Sequence, residues 1–245
     1  MKLGDNTTYL LQKEFPTLKQ RINNYELLCQ LLDGVVISDG HINPGKFKTC
    51  LRVTQIKLHI DWLENIQERL ASINIKSRIV PLVAKSNEQE KVQLITKSSE
   101  LFMILRNRWY KNNIKIVPDD LKISSLILAD WLMGDGSTGI FKRSPSKLVH
   151  VQLYTNSFTY QELQDLQNRL YLFSFNIQEV RPNQFILSLS KSKYVYLFLK
   201  LVEPYITESF KYKLKYPDVI SLSQAMKKTN KRERNSKGRF IKNEK

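Results

Sequence analysis

Apolar and polar residues follow a pattern that occurs twice along this chain. Each copy opens with a nearly all-apolar helix, "NNYELLCQLLDGVVISDG" from about residue 24 and "SSLILADWLMGDG" from residue 124. Alternating runs such as "TCLRVTQ" and "LVHVQLY" follow and predict strands. An amphipathic helix, two further strand-like runs and a last helix complete each copy. The pattern predicts an α+β fold of two pseudo-symmetric αββαββα repeats in tandem.

The two opening helices carry signals for their beginnings and ends. Asn23 is placed to cap the first helix, with Glu26 three residues later as in a capping box. Gly40 and Gly136 directly follow the last turns of the two helices. We expect both glycines to adopt the left-handed conformation that ends many helices.

Small residues on these helices predict how they pack. Gly34 and Ser38 lie four residues apart, so they share one side of the first helix and would let another backbone approach. Gly134 takes the place of Ser38 in the second helix. Two similar helices can pack about a pseudo-two-fold axis. We therefore expect both helices at the interface between the repeats, with Asp39 and Asp135 close together.

Asp39 and Asp135 each stand where an apolar helix ends. That end of a helix carries partial negative charge, so a carboxylate is unfavourable there. Two such carboxylates in a pocket of low dielectric would repel each other, and a divalent cation would resolve this. Oxygen ligands favour Mg²⁺, with Mn²⁺ as a substitute. The alternative is an ordinary turn hydrogen bond after each helix, but duplication in matching repeats favours the metal site.

Charge indicates the class of partner. The 245 residues contain 39 Lys and Arg against 23 Asp and Glu, a formal net charge of +16, which suits nucleic acid or an acidic membrane surface. No apolar run reaches the length of a membrane span, and the N-terminus lacks a secretory signal. Cys29 and Cys50 are too few for a disulfide framework or a cysteine zinc site, which favours a reducing, intracellular compartment.

Composition and the repeat divide the chain into four parts. We assign residues 1–23 to an N-terminal extension, 24–121 and 122–222 to the two repeats, and 223–245 to a basic tail. The tail contains six Lys, three Arg and two Glu, a net charge of +7. We expect it to be disordered unless it lies on a partner.

The two acid-bearing segments resemble the motif of the LAGLIDADG homing endonucleases, in the single-chain form with two motifs. "LDGVVISDG" (32–40) matches the third, eighth and ninth letters of that motif, and "LADWLMGDG" (128–136) matches the first, second, eighth and ninth. The eighth letter is the family's metal-binding acid, here Asp39 and Asp135. The sequence departs from the motif at Asp33 and Asp130, which need partners if they are buried.

The resemblance, which covers roughly residues 24–216, implies further site residues beside the two acids. Polar residues on the second strands would order water, and basic residues would lie near the scissile phosphates. The catalytic residues implied are Asp39, Asp135, Lys115, Lys213, Gln55 and Asn156. The metal ligands implied are Asp39 and Asp135 together with the backbone carbonyls of Ser38 and Gly134.

The strands predict where DNA would be recognised. A sheet with one apolar face packs on helices and leaves its other face free, and the resemblance implies a saddle of two antiparallel sheets over duplex DNA. The candidate DNA contacts of the first repeat are Lys46, Lys48, Arg52, Arg78, Lys91 and Gln93. Those of the second repeat are Lys142, Arg143, Lys147, His150, Gln152, Arg181 and Asn183.

The resemblance implies a monomeric, metal-dependent endonuclease that cuts both strands of double-stranded DNA at a long asymmetric site, leaving short 3′ overhangs. An organelle, a phage or a bacterial cytoplasm is the expected setting. One alternative is an RNA maturase, which would bind the host intron through the same basic surfaces. Another is a DNA-binding regulator without cleavage, but we find no helix-turn-helix segment in the tail. Both acids and both lysines are present, which favours cleavage.

Overall fold

The chain folds as two repeats of the same order, seen in a computed structural model that describes residues 21–45, 49–83, 88–99, 101–141, 148–155 and 157–217. The first repeat comprises α1 (Arg21–Ile37), β1 (Gly40–Ile42), β2 (Leu51–Ile56), α2 (Ile60–Ser72), β3 (Ser77–Leu82), β4 (Lys91–Thr96) and α3 (Leu101–Trp109). A hairpin of β5 (Tyr110–Lys111) and β6 (Ile114–Lys115) follows. The second repeat comprises α4 (Ser125–Asp135), β7 (Gly136–Phe141), β8 (Leu148–Tyr154), α5 (Tyr160–Arg169), β9 (Asn176–Arg181), β10 (Gln184–Leu189) and α6 (Ser192–Val202). Short 3₁₀ helices lie at Lys57–His59, Tyr171–Phe173, Glu203–Tyr205 and Glu208–Lys213. The predicted αββαββα order is confirmed.

Each repeat contains one four-stranded antiparallel sheet. The strand orders are β1-β2-β4-β3 and β7-β8-β10-β9, so the two sheets are topologically equivalent. Leu51 and Val53 on β2, like Val149 and Val151 on β8, are buried, whereas Arg52 between the first two is exposed. One face of each sheet therefore packs on the helices and the other faces solvent, as the alternation predicts.

The apolar helices α1 and α4 pack against each other at the centre of the molecule. A Cβ atom at Gly34 would lie 2.7 Å from Asp130 Oδ2 and 2.8 Å from Ile127 Cα. At the other end, a Cβ atom at Gly134 would lie 2.7 Å from Ser38 Cβ. Only glycine permits this separation of the two backbones, so the predicted close approach is confirmed.

Two details at the helix ends differ from expectation. α1 begins at Arg21, so Asn23 lies inside the helix and the predicted cap there is wrong. Gly136 has extended dihedral angles (φ −119°, ψ 162°), and Gly40 is not left-handed either, so that prediction is also wrong. Both glycines instead enter a strand directly, and a Cβ atom at Gly136 would lie 2.6 Å from Leu132 Cα.

The two unusual motif acids are both buried and fully partnered. Asp130 is 0% exposed and accepts hydrogen bonds from Arg69 (2.8 and 2.9 Å) and from the indole of Trp62 (3.0 Å). Asp33 is 2% exposed and accepts equivalent bonds from Arg108 and from the indole of Trp109.

The two ion pairs differ in whether they lie within one repeat or connect the two repeats. Asp33 and Arg108 both belong to the first repeat, whereas Arg69 lies on α2 of the first repeat and Asp130 on α4 of the second. The Arg69–Asp130 pair therefore joins the repeats.

In the described part of the chain, no helix combines the length and the apolar character needed to cross a membrane.

Candidate active site

The carboxylates of Asp39 and Asp135 meet where the two central helices end. Asp135 is the last residue of α4, and Asp39 lies in the turn between α1 and β1. Asp39 Oδ2 lies 3.1 Å from the position of a Cβ atom on Gly134, the residue that directly precedes Asp135. The crossing of α1 and α4 thus brings together two acids that are 96 positions apart.

Both acids have raised pKa values. Burial, followed by the negative charge of Asp135, raises the pKa of Asp39 to about 6. Burial likewise raises the pKa of Asp135, against the opposing charges of Lys115 and Lys213. Two partly buried carboxylates that lie close together are costly to ionise, so the site is suited to a group that supplies positive charge.

Lys115, on β6, reaches the end of the first motif helix. Its Nζ donates hydrogen bonds to the carbonyls of Val36 (2.8 Å), Ser38 (3.2 Å) and Gly40 (3.2 Å). Burial lowers the pKa of this ammonium, and the charges of Asp135 and Asp39 oppose that shift. The lysine therefore places a cation at the negative end of α1.

Lys213 does the same for the second motif helix. It ends the 3₁₀ segment Glu208–Lys213, and its Nζ donates to the carbonyls of Leu132 (2.8 Å), Met133 (2.7 Å) and Gly136 (2.8 Å). Only 7% of the residue is exposed, and burial lowers its pKa to about 8. In each lysine the three ammonium hydrogens have three carbonyl partners. These cations explain how two helix ends that already carry partial negative charge can each hold an acid.

Gln55 is placed beside the first acid. Its Nε2 donates a hydrogen bond to Asp39 Oδ2, and this bond opposes the rise in the Asp39 pKa. Asn156, its expected counterpart, lies outside the described residues. Of the two carbonyls implied as metal ligands, that of Ser38 accepts from Lys115 (3.2 Å). Gly134, which directly precedes Asp135 in the sequence, lies against Ser38.

The donor set fits a hard divalent cation that keeps part of its water shell. Among the described residues there is no group of three or more His, Cys, Asp and Glu side chains that could enclose a metal. Two carboxylates are nevertheless a common protein contribution to a Mg²⁺ site, where water and substrate phosphates supply the other ligands. The oxygens of Asp39 and Asp135 would therefore hold Mg²⁺ or Mn²⁺.

The free face of the first sheet carries four of the predicted DNA contacts. In the strand register Arg52 and Arg78 both lie opposite Ile95, so the three side chains form one row across the sheet. Gln93 lies in the next row and donates to Thr54 Oγ1 (2.8 Å), and Lys91 is in the row beyond. Arg52, Arg78 and Lys91 are exposed.

The free face of the second sheet is less basic in the described residues. Gln152 lies in a row between Ser137 and Ser188, and His150 packs against Gly139. Arg181 and Asn183 are exposed at the β9–β10 turn. The remaining candidates, Lys46, Lys48, Lys142, Arg143 and Lys147, and the basic tail lie outside the described residues.

Sequence reasoning missed the partners of the two buried acids. It required partners for Asp33 and Asp130 without naming them. The available signal was the pairing of Trp and Arg in "WLENIQER" and "RNRW", since an indole N–H and a guanidinium are both able to enter a core and donate to a carboxylate. Nothing in the sequence showed that Arg69 would reach the other repeat.

Residues 29–197 match the family model described as the LAGLIDADG DNA endonuclease family. An uncharacterized protein of Methanocaldococcus jannaschii is 34% identical over 199 residues, which cover 79% of this chain and 75% of that protein. The cytochrome b mRNA maturase bI2 of Saccharomyces cerevisiae is 26% identical over 232 residues, 84% of this chain and 52% of the maturase.

Among solved structures, the homing endonuclease I-WcaI bound to its DNA recognition sequence has a TM-score of 0.65 at 21% identity. The match covers 89% of this chain and 97% of that chain. This likeness shows that the two proteins share a fold.

Proposed function

Because the chain belongs to the LAGLIDADG DNA endonuclease family, we propose that it is a site-specific endonuclease that hydrolyses one phosphodiester in each strand of duplex DNA. Cleavage depends on Mg²⁺, with Mn²⁺ as a substitute, and leaves short 3′ overhangs. The two repeats differ in sequence, so the target is long and asymmetric, and one chain supplies both halves of the site as a monomer.

One observation carries this proposal. Asp39 and Asp135 come together at the ends of two packed helices, and each helix end is held by a lysine, Lys115 partly buried and Lys213 buried. A pair of partly buried acids with raised pKa values has no evident structural use, because it destabilises the fold whenever both are ionised. Such an arrangement is typical of a catalytic site.

The protein's own groups have separable tasks in this mechanism. A divalent cation on the two carboxylates would acidify water and neutralise charge on the phosphate. Gln55 fixes the orientation of the Asp39 carboxylate through its hydrogen bond. Lys115 donates to the carbonyls of the residues on either side of Asp39, and Lys213 donates to the carbonyl of the residue after Asp135. Both lysines therefore keep positive charge beside the acids, where negative charge builds up on the phosphate during hydrolysis.

Recognition is assigned to the free faces of the two sheets. Arginine and glutamine can read base edges in the major groove, while lysine mainly grips phosphate. The row formed by Arg52, Ile95 and Arg78 offers two guanidinium groups on either side of an apolar side chain. Gln152 between two serines offers an uncharged counterpart in the second repeat.

The test is cleavage of the host locus from which the intron has been removed, with a library of random duplexes as an unbiased second source of targets. Wild-type protein with Mg²⁺ should linearise the target, and Asp39→Asn or Asp135→Asn should lower the cleavage rate by about 100-fold or more. EDTA should abolish the reaction. An exposed acid on α2, replaced in Glu68→Gln, is the matched control. Undiminished cutting by either active-site variant would exclude this function.

A second candidate function is assistance of intron splicing. It is favoured by the similarity to the maturase of Saccharomyces cerevisiae and by a further maturase of that name in Debaryomyces hansenii, 28% identical over 204 residues. In vitro splicing of the host intron with wild type and with Asp39→Asn/Asp135→Asn separates the two functions. Splicing activity that survives loss of both acids would show that splicing does not depend on the carboxylates needed for cleavage.

A further inference from the structure

The segment that carries Lys213 belongs to the second repeat but is held by the first. Ser209, four residues before Lys213, donates from its backbone N to Asp61 Oδ2 (2.9 Å) and from its hydroxyl to Asp61 Oδ1 (2.6 Å). His59 Nδ1 lies 2.9 Å from the same hydroxyl. Phe210 stacks on the His59 ring at 3.9 Å between centroids. The 3₁₀ helix Glu208–Lys213 is therefore fixed to the start of α2.

The segment that carries Lys115 shows the reverse arrangement, because it belongs to the first repeat but is held by the second. Val117, two residues after Lys115, donates from its backbone N to Glu162 Oε1 (2.9 Å) on α5 of the second repeat. Arg169 at the end of the same helix donates to the carbonyls of Pro118 (2.8 Å) and Leu121 (3.3 Å). The chain that follows the β5–β6 hairpin is therefore fixed to α5.

The two contacts are equivalent in position although their residues differ. Leu63 of α2 matches Leu163 of α5, so Asp61 and Glu162 occupy neighbouring places in the first turns of equivalent helices. A carboxylate is favoured there by the partial positive charge of the helix start. Each acid then accepts a backbone N–H from the lysine-bearing segment of the other repeat.

From this geometry we propose that Asp61 and Glu162 are positioning residues that act across the interface, each fixing the backbone beside the active-site lysine of the opposite repeat. The role of the lysines in cleavage rests on the proposed function, but the positioning itself does not. Each half of the site would then be assembled only when both repeats are docked.

Lysine labelling tests the positioning without any cleavage. Reductive methylation followed by mass spectrometry reports the reactivity of each buried lysine in the folded protein. Asp61→Ala should raise the labelling rate of Lys213 about tenfold and leave Lys115 protected, and Glu162→Ala should do the reverse, because each removes hydrogen bonds that oppose local opening. Ser209→Ala, which keeps the backbone bond to Asp61, should shift Lys213 in the same direction by less and serves if Asp61→Ala folds poorly.

Matched controls are available on the same two helices. Glu64→Ala and Asp165→Ala remove exposed carboxylates that lie about one helical turn after Asp61 and Glu162 on α2 and α5. Neither variant should change the reactivity of either lysine. Thr159→Ala removes the hydroxyl that donates to Glu162 Oε2 (2.7 Å), so it should raise the labelling of Lys115 by less than Glu162→Ala does. Equal labelling of both lysines in Asp61→Ala and Glu162→Ala would show general loosening and overturn the proposal, as would no change in either variant.

A plasmid with one target site adds a catalytic readout. If one lysine serves one strand more than the other, each variant should accumulate nicked circle, and strand-labelled duplex should show opposite nicked strands for Asp61→Ala and Glu162→Ala. Nicking of the same strand by both variants would overturn the crossed arrangement. Absence of cutting by the wild-type protein would instead count against the endonuclease function, and the labelling result would still decide the positioning.

Discussion

The two repeats bring a lysine to the same chemical position with different supports. Lys115 lies on the second strand of a hairpin, whereas Lys213 ends a 3₁₀ helix. Each ammonium nevertheless donates to three carbonyls where its own motif helix ends. The carbonyls of a helix end therefore define the position of the cation, because they converge on one point and carry the negative end of the helix dipole. The element that delivers the lysine is free to differ.

The buried ion pairs give the sharpest contrast between repeats. Asp130→Ala should lower the free energy of unfolding by about 3–5 kcal/mol, because it leaves the mostly buried guanidinium of Arg69 without its carboxylate. Asp33→Ala should lower it by less, because Arg108 keeps its ion pair with Asp120 (2.8 Å). Only Asp130→Ala removes a bond between the repeats, so only that variant should separate urea unfolding into two transitions. Glu68→Ala, an exposed acid on α2, is the control. Two transitions in Asp33→Ala would contradict this assignment.

The lysine pair tests whether different supports give equal function. Lys115→Met and Lys213→Met should each lower the single-turnover cleavage rate by about 100-fold, because each removes positive charge beside the acids. Lys111 and Lys211 are exposed lysines of the same two segments, so Lys111→Met and Lys211→Met are the controls and should cut at the wild-type rate. Rates that differ by more than tenfold between the first two variants would show that the repeats are not equivalent.

The raised pKa of Asp39 predicts that substitution of this acid increases the free energy of unfolding at neutral pH but not in acid. In the folded protein this pKa is about 6 instead of the ordinary 3.8, so the native state binds the proton more tightly than the unfolded chain. The stabilisation that comes from this tighter proton binding is complete below about pH 4 and is lost as the pH rises through 6. Asp39→Asn should therefore raise the free energy of unfolding at pH 7.5 by about 1–3 kcal/mol when no metal is present.

Chemical denaturation at pH 7.5 and pH 4 in EDTA measures this effect. The gain should vanish at pH 4, and Mg²⁺ should stabilise the wild-type protein more than the variant, since the cation binds the folded carboxylates. A variant that is less stable than wild type at pH 7.5 would show that Asp39 contributes to the fold, and the interpretation of the acid pair as a functional site would lose its main support.

Substitutions on the free faces of the sheets should have the smallest effects on DNA binding. A charged residue and an uncharged residue should differ in how the salt dependence of binding changes. Arg52→Ala should weaken binding of the cognate duplex by about 1–3 kcal/mol and reduce the salt dependence of binding, because a cation is lost. Gln152→Ala should weaken specific binding by about 1–2 kcal/mol and leave the salt dependence unchanged, because the side chain is uncharged. Fluorescence anisotropy over a range of salt concentrations measures both. Unchanged affinity in both variants would place recognition elsewhere.

Local patterns were sufficient for the repeat, the strand faces and the helices that meet. Apolar spacing reports burial directly, and glycine at positions 34 and 134 reports a close approach because no other residue leaves the needed space. The predicted left-handed glycines 40 and 136 failed for an instructive reason. Glycine is required there by the neighbouring helix turn, and sequence does not distinguish a crowded position from a left-handed one.

The sequence by itself determined that two acids end two matching apolar helices, since both the periodicity and the duplication are written in one dimension. Only the tertiary structure decided which cations hold those helix ends, that Arg69 reaches across to Asp130, and that Asp61 and Glu162 each grip the opposite repeat. The physical reason is that these contacts join residues between 45 and 148 positions apart. Their partners are fixed by how the helices cross, which no local pattern of side chains records.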